Sequence, residues 1–232
     1  MPLFLIQSSK MKKSFKAVAL IIILSSAFFA LQAQTYRIEA GYSQPRIYSS
    51  EISHRYLHGF QLGGTVEFDF FPEISFLTFQ TGLSYSYSFG NNSQRYRYTS
   101  ISDSIRINTQ GHQLNIPVYA IASQTIFKVV KVSVFAGPNF NIGLSMPQRV
   151  ETTITDAEGL QRLESFGYRL GTSDLYDGRL SRFNLQMDVG AGAQWWKMQV
   201  RGGYSFGINN LSKFDFHKQR QSGWFVSVAY EF

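Results

Sequence analysis

Strict alternation of apolar residues with polar or small ones is the feature that most constrains how this 232-residue chain can fold. Successive side chains of a β-strand point to opposite faces, so the alternation predicts strands with one apolar face. The pattern is clearest at the end of the sequence. There the apolar face consists of Trp224, Val226, Val228, Tyr230 and Phe232.

Seven further segments show the same period of two, and no segment after residue 33 shows the period of an α-helix. Together with the last segment they predict an all-β chain of eight strands. The seven segments are 36–43, 60–70, 77–89, 114–121, 130–136, 183–195 and 198–208.

The connections between these strands alternate between short and long. An even number of strands with short turns at one end and long loops at the other is typical of outer membrane barrels. Within the longest loop, 149–155 and 160–165 flank the turn sequence at 156–159, which predicts a projecting hairpin. The short connections are 71–75, 123–128 and 195–197, and the long ones are 44–57, 90–110, 145–182 and 209–222.

Hydrocarbon offers no partner to a backbone N–H or C=O group, so a sheet in a membrane must close on itself. We therefore predict an eight-stranded antiparallel up-and-down transmembrane β-barrel over residues 34–232. The short turns and both termini would face the periplasm, and the long loops would face outward.

A soluble eight-stranded barrel of lipocalin type would show the same alternation, with its apolar face turned inward. Two observations favour the membrane barrel: the second face is rich in Gly, Ser, Gln, Asn and charged residues, and aromatic residues gather at both predicted ends of the strands. The predicted aromatic bands are Tyr36, Phe70, Phe71, Phe76, Phe127, Trp195, Tyr230 and Phe232 at one end, and Tyr42, Phe60, Tyr87, Phe89, Phe140, Phe183, Phe206 and Trp224 at the other.

The first 33 residues predict a signal peptide for export. Lys12, Lys13 and Lys16 precede an apolar run at 17–30, and Ala33 is a suitable small residue before a cleavage site. The apolar run is shorter than the roughly 20 residues that a transmembrane helix needs. We therefore expect residues 1–33 to be removed.

Composition excludes several classes of function. The chain has no Cys, which rules out disulfides, thiolate metal sites and a cysteine nucleophile. Its formal charge is +7, but 4 of the 22 Lys and Arg residues lie within the first 33. The remaining 18 basic residues face 15 acidic ones and are scattered, so nucleic acid is not an expected partner.

Four short motifs resemble those of the PorT-like outer membrane β-barrel family. They are Leu-Asn-Ile-Pro-Val at 114–118, Ala-Gly-Pro at 136–138, the segment 201–211, and the aromatic ending Tyr-Glu-Phe at 230–232. The resemblance implies a barrel in the outer membrane of a diderm (Gram-negative) bacterium, surrounded by outer membrane lipids. It also implies that Tyr230 and Phe232 form an assembly signal read by the outer membrane insertion machinery. One member of that family is a component of protein secretion.

Residues suited to catalysis are few. His54, His58, His112 and His217 all fall in predicted outer loops or at an outer strand end. They could belong to a metal site or to the His–Ser pair of an outer-leaflet lipid hydrolase, but four solvated loop histidines are the favoured interpretation. Phosphate-binding and nucleotide-binding motifs are absent from the sequence. We therefore predict no enzyme activity, no cofactor and no metal site.

Charged residues on the inward face are more informative. Strand order brings Arg37 within reach of Glu67 or Glu231, and Arg201 within reach of Glu231. The charges could form an ion pathway, but an eight-stranded barrel is just wide enough for its own side chains, so we expect a structural plug of ion pairs. The predicted charge cluster is Arg37, Glu39, Glu67, Asp69, Lys131, Asp188, Arg201 and Glu231.

Pro117 interrupts a predicted strand and cannot donate to the ladder, so we expect a bulge or irregularity there.

For function, we expect a barrel with a plugged lumen that acts through its outer loops as a structural or adhesion-type scaffold. Alternatives are a component of a secretion or envelope-assembly complex, with other envelope proteins as partners, and an outer-leaflet lipid-modifying enzyme.

Overall fold

The computed structural model describes residues 35–49, 55–69, 76–98, 101–126, 128–154, 158, 160–161, 170–213 and 218–232. The predicted signal peptide at 1–33 lies outside these residues, as do His54 and His217. Within the described ranges, no helix has the length and apolar character needed to cross a membrane.

The described residues form eleven β-strands. They are β1 (Thr35–Ser49), β2 (Arg55–Tyr56), β3 (His58–Phe68), β4 (Leu77–Tyr98), β5 (Ile101–Ile126), β6 (Val130–Ser145), β7 (Pro147–Thr152), β8 (Gly171–Asp174), β9 (Phe183–Trp195), β10 (Met198–Gly207) and β11 (Gln219–Glu231).

Eight of these strands close into a ring: β1, β3, β4, β5, β6, β9, β10 and β11. Each is antiparallel to the next along the chain, and β11 returns to pair with β1 from Arg37↔Glu231 to Ser49↔Gln219. The Phe232 N–H then donates to the Tyr36 carbonyl at 3.1 Å. The predicted eight-stranded up-and-down barrel is therefore confirmed.

Burial alternates along the ring strands as the sequence predicts. On β11, Val226 and Val228 are 41% and 42% exposed, whereas Ser227 between them is 2% exposed. On β9, polar Gln186 and Asp188 are buried, while Met187 lies on the outer wall. The wall is thus apolar outside and polar inside, the reverse of a lipocalin-type barrel.

The two ends of the barrel differ. At the turn end, where β3–β4, β5–β6 and β9–β10 connect, Lys128 and Trp196 adopt left-handed φ angles of 60° and 55°. At the opposite loop end the strands are longer than predicted. Most of the predicted loop at 90–110 is the paired extension of β4 and β5, which runs to Tyr98↔Ile101.

The predicted hairpin within the long loop exists, but its second strand was misplaced. β7 pairs with β5 on one side and with β8 on the other. Residues 160 and 161, in the run predicted to be the partner strand, are helical. The real partner is β8, a short polar strand whose four residues carry too little alternation to be recognised.

An irregularity occurs at Pro117, as predicted. The β4–β5 ladder has no partner pairs between Thr81↔Val118 and Ser84↔Asn115, and the register is the same on both sides of the gap. The Thr81 hydroxyl donates to the Pro117 carbonyl at 2.9 Å. The true register shift lies elsewhere, between His112 and Gln113 on β5.

Candidate functional site

The lumen of the barrel is filled at the turn end by a group of ion pairs. Arg37 donates to Glu231 from Nη2 at 2.8 Å and from Nε at 3.2 Å, and it also contacts the Glu67 carboxylate. Lys131 Nζ lies 3.6 Å from Glu67 Oε1, which also accepts from Thr78. Arg37 faces Glu231 directly in the ladder, so both strand register and charge bring them together.

A second ion pair lies deeper in the lumen, between Arg201 and Glu39. Strand order indicated Glu231 as the partner of Arg201, and that prediction is wrong. Arg201 contacts Glu39, with 3.1 Å between Nε and Oε1, rather than Glu231. The reason is register: Arg201 stands opposite Ser227 on β11, four residues from Glu231, which is about 13 Å along a strand. The Arg201 Nη1 donates to Gln80 at 2.7 Å, a partner that sequence reasoning missed.

Aromatic rings pack beside the deeper ion pair. Tyr119 and Phe135 lie with ring centroids 5.2 Å apart, and Phe135 contacts Phe225 at 6.2 Å. The Arg201 guanidinium lies 5.5 Å from the Phe135 ring. This layer excludes water around the Arg201–Glu39 pair and strengthens the electrostatic attraction within it.

Asp188 lies further toward the loop end, among neutral polar side chains. It accepts hydrogen bonds at Oδ2 from the Tyr119 hydroxyl and from Asn139 Nδ2, the latter at 2.9 Å. Asn141 donates to Asn139 at 3.2 Å and to Asn115 at 2.9 Å, which extends the network across the lumen. These side chains line a cavity of about 80 Å³.

An apolar cap covers the lumen at the loop end, and sequence reasoning missed it. Tyr176 reaches over the barrel, where its ring packs against Gly143 and its hydroxyl accepts from Gln113 at 3.3 Å. Burial raises the pKa of this phenol above its ordinary value. The cap consists of the buried residues Ile47, Leu57, Met146, Leu175, Tyr176, Leu180 and Leu211.

One member of the predicted charge cluster does not belong to it. Asp69 lies one residue beyond the end of β3 and is exposed. The alternation continued through it in the sequence, but the strand stops at Phe68. The remaining seven charged residues all project into the lumen. Tyr230 lies on the outer wall at the turn end, and its ring centroid is 5.4 Å from that of Phe232.

The two described histidines lie on the outer wall near the loop end. His58 Nδ1 is 2.5 Å from the Tyr42 hydroxyl, and His112 Nδ1 is 2.5 Å from that of Tyr85. Each is therefore paired with a tyrosine, and neither forms a His–Ser pair. No group of three or more metal-ligating His, Asp or Glu side chains occurs in the described part of the chain.

The arrangement has a simple chemical consequence. Ion pairs close the lumen at the turn end, and the apolar cap closes it at the loop end. Between them lies a small polar chamber of about 80 Å³. The described lumen therefore suits a rigid, filled barrel better than an open pore.

Comparison with known proteins identifies the family but not an individual relative. The model of the outer membrane protein beta-barrel domain matches residues 28–213. No curated protein sequence matches the chain.

Three solved structures are among those similar to this chain. Neisserial surface protein A (NspA) is 13% identical, with a TM-score of 0.43 and coverage of 85% of this chain and 97% of its own. Ail, the attachment invasion locus protein of Yersinia pestis, is 14% identical, with a TM-score of 0.36 and coverage of 85% and 98%. The outer membrane protease OmpT from Escherichia coli is 9% identical, with a TM-score of 0.39 and coverage of 86% and 97%. The family match, which spans most of the chain, decides the assignment: this chain belongs to the outer membrane protein beta-barrel domain family.

Proposed function

We propose that this protein is a closed outer membrane barrel that acts as an adhesion-type scaffold, binding partner molecules through its loop end. The observation that carries the proposal is the extension of β4 and β5 beyond the ring. β3 pairs with β4 only as far as His58↔Phe89, whereas β4 and β5 remain paired to Tyr98↔Ile101. Nine more residues of strand correspond to about 30 Å of projecting hairpin.

β7 and β8 widen the projecting hairpin. β7 pairs with β5 on the side away from β4, and β8 pairs with β7. Ile105, Ile107 and Val150 are buried on this small sheet. A sheet that is rigid and stands away from the membrane offers a surface for recognition without needing an open lumen. In this proposal the turn end and both termini face the periplasm, as short turns do in barrels of this class.

The experiment replaces residues 91–108 with an Asn-Gly turn, which removes the projecting part of the β4–β5 hairpin. A photo-crosslinking residue at the exposed Asn91 of the otherwise unchanged protein should capture partners on intact cells. Cells with the shortened hairpin should lose surface attachment, although the barrel still migrates faster on gels when unboiled. Unchanged attachment with the shortened hairpin would contradict the adhesion-type role.

A second candidate is a role in a protein secretion or envelope-assembly complex, as the PorT-like motifs at 114–118 and 201–211 suggest. Such a role would use periplasmic contacts. Trp196 stands at the turn end with 73% of its surface exposed, so it offers a docking residue on that side. A photo-crosslinking residue at position 196 should then capture envelope proteins, and Trp196→Ala should reduce secretion without affecting attachment. Crosslinks confined to Asn91 would favour the scaffold.

A further inference from the structure

Charges in the described part of the lumen do not balance. Arg37 is paired with Glu67 and Glu231, Lys131 with Glu67, and Arg201 with Glu39. These three cations therefore serve three glutamates. Asp188 is a fourth carboxylate and is 1% exposed. Among the described residues, no Lys or Arg side chain forms a salt bridge with it. A buried charge without a partner is costly, so the lumen needs one more positive charge.

Asp188 has an unpaired oxygen atom and shares its cavity with a second residue that also has one. Its Oδ2 accepts two hydrogen bonds, from Tyr119 and Asn139, but its Oδ1 is buried without a hydrogen-bond partner. Asn141 is also buried, and its Oδ1 likewise lacks a donor. Both residues line the cavity of about 80 Å³. A buried acceptor left unpaired is costly, so two in one cavity point to an occupant with positive character.

We propose that this chamber binds a monovalent metal cation, Na⁺ or K⁺, held by the carboxylate of Asp188 and the amide oxygen of Asn141. One uncompensated negative charge matches one positive charge. Hard cations prefer carboxylate and carbonyl oxygens, which are the free atoms here. The cavity also has room for water molecules, each of which needs about 10–15 Å³, to complete the coordination shell.

A proton on Asp188 would also neutralise the charge, but the geometry favours the cation. Two donors already point at Oδ2, and hydrogen bonds of this kind offset part of the cost that burial imposes on the ionised carboxylate. A single proton on Oδ1 would also leave most of the polar cavity unused. The cation satisfies the free oxygens of Asp188 and Asn141 together.

The test compares the mature protein refolded into lipid vesicles in NaCl, KCl or N-methylglucamine chloride at equal ionic strength and pH. N-methylglucamine is too large for the chamber. A cation present at about 100 times its Kd should favour the folded state about 100-fold. The unfolding temperature should therefore be higher in NaCl or KCl than in N-methylglucamine chloride.

Asp188→Asn removes the charge, and Asp69→Asn is the matched control because it removes an exposed carboxylate by the same substitution. The cation-dependent shift should disappear in Asp188→Asn and persist in Asp69→Asn. Sodium NMR of the folded wild-type protein should show a broadened signal that K⁺ sharpens by competition.

Equal stability of the wild-type protein in all three salts, with an unbroadened sodium signal, would overturn the proposal. Stability that depended on pH but not on the salt would assign the missing charge to a proton and would also overturn it. If Asp188→Asn does not refold, the three-salt comparison of the wild-type and Asp69→Asn proteins still decides the question.

Discussion

Arg201 on β10 pairs with Glu39 on β1 across the intervening strand β11, at 3.1 Å between Nε and Oε1. The two residues are 162 positions apart in the chain, and both side chains are nearly inaccessible to solvent. The pair joins the beginning of the barrel wall to a strand near its end. It therefore links the first strand of the wall to the last two.

The first prediction concerns the loss of one partner of this pair. Glu39→Gln should reduce the free energy of unfolding by about 3–5 kcal/mol, because it leaves the buried Arg201 guanidinium without a counter-charge. Replacing both residues, as in Glu39→Gln with Arg201→Met, should cost less than the sum of the two single changes. Denaturant titration in lipid vesicles measures all three variants, and strictly additive losses would show that the pair is not coupled.

The second prediction separates the two faces of β11. Val226→Arg and Val228→Arg place a charge on the apolar outer wall and should each cost about 2–4 kcal/mol. Ser227→Ala should cost only about 1 kcal/mol, since it removes one hydroxyl that Arg201 Nε contacts at 3.3 Å. Refolding into vesicles followed by denaturant titration compares them. A Ser227→Ala variant as damaging as Val226→Arg would contradict the assigned faces.

The third prediction concerns the closed lumen. The wild-type protein should show no stable open-channel current in planar bilayers, because both ends of the lumen are filled. Gly143→Leu should displace the Tyr176 ring, which already occupies the space that a Cβ would need, and raise the frequency of brief openings. Gly64→Leu is the matched control, because a Cβ there meets nothing closer than 3.8 Å. Large steady currents from the wild-type protein would contradict the closed lumen.

The fourth prediction uses the pKa of Tyr176, which burial raises above the ordinary tyrosine value of about 10. A neutral phenol is then favoured in the folded state, so its contribution to stability is complete below pH of about 10 and is lost as the pH rises further. The wild-type protein should lose more stability than Tyr176→Phe above that pH. Denaturant titrations between neutral and strongly alkaline pH test this, and parallel curves for the two proteins would contradict it.

The wall of the barrel could be predicted from the sequence because alternation is a local property of a strand. Val226, Ser227 and Val228 need no distant information to define two faces. The same logic failed at Asp69, where the alternation outlasts the strand, and at 90–110, where the strands continue through polar residues. Local pattern indicates the face of a residue, but hydrogen-bond pairing with a neighbour determines where a strand ends.

The cap and the second ion pair could not be predicted for a different reason. Leu57, Met146 and Leu211 are isolated apolar residues in three separate polar connections, and only the folded chain brings them together. The Arg201–Glu39 pair depends on the register between β10, β11 and β1. Charge and strand order limit the partners of Arg201 to Glu39 and Glu231. The register decides between them, because Arg201 stands opposite Ser227, four residues before Glu231.

The hydrogen bond from Phe232 to the Tyr36 carbonyl brings the two ends of the barrel wall together. A short linker between them, with a new opening at the Trp195–Met198 turn, would give a circular permutant with every ladder intact. In that permutant Tyr230 and Phe232 would still complete the wall but would no longer stand at a chain terminus. Its assembly in cells would therefore test the predicted assembly signal, because Tyr230 and Phe232 would complete the wall without ending the chain.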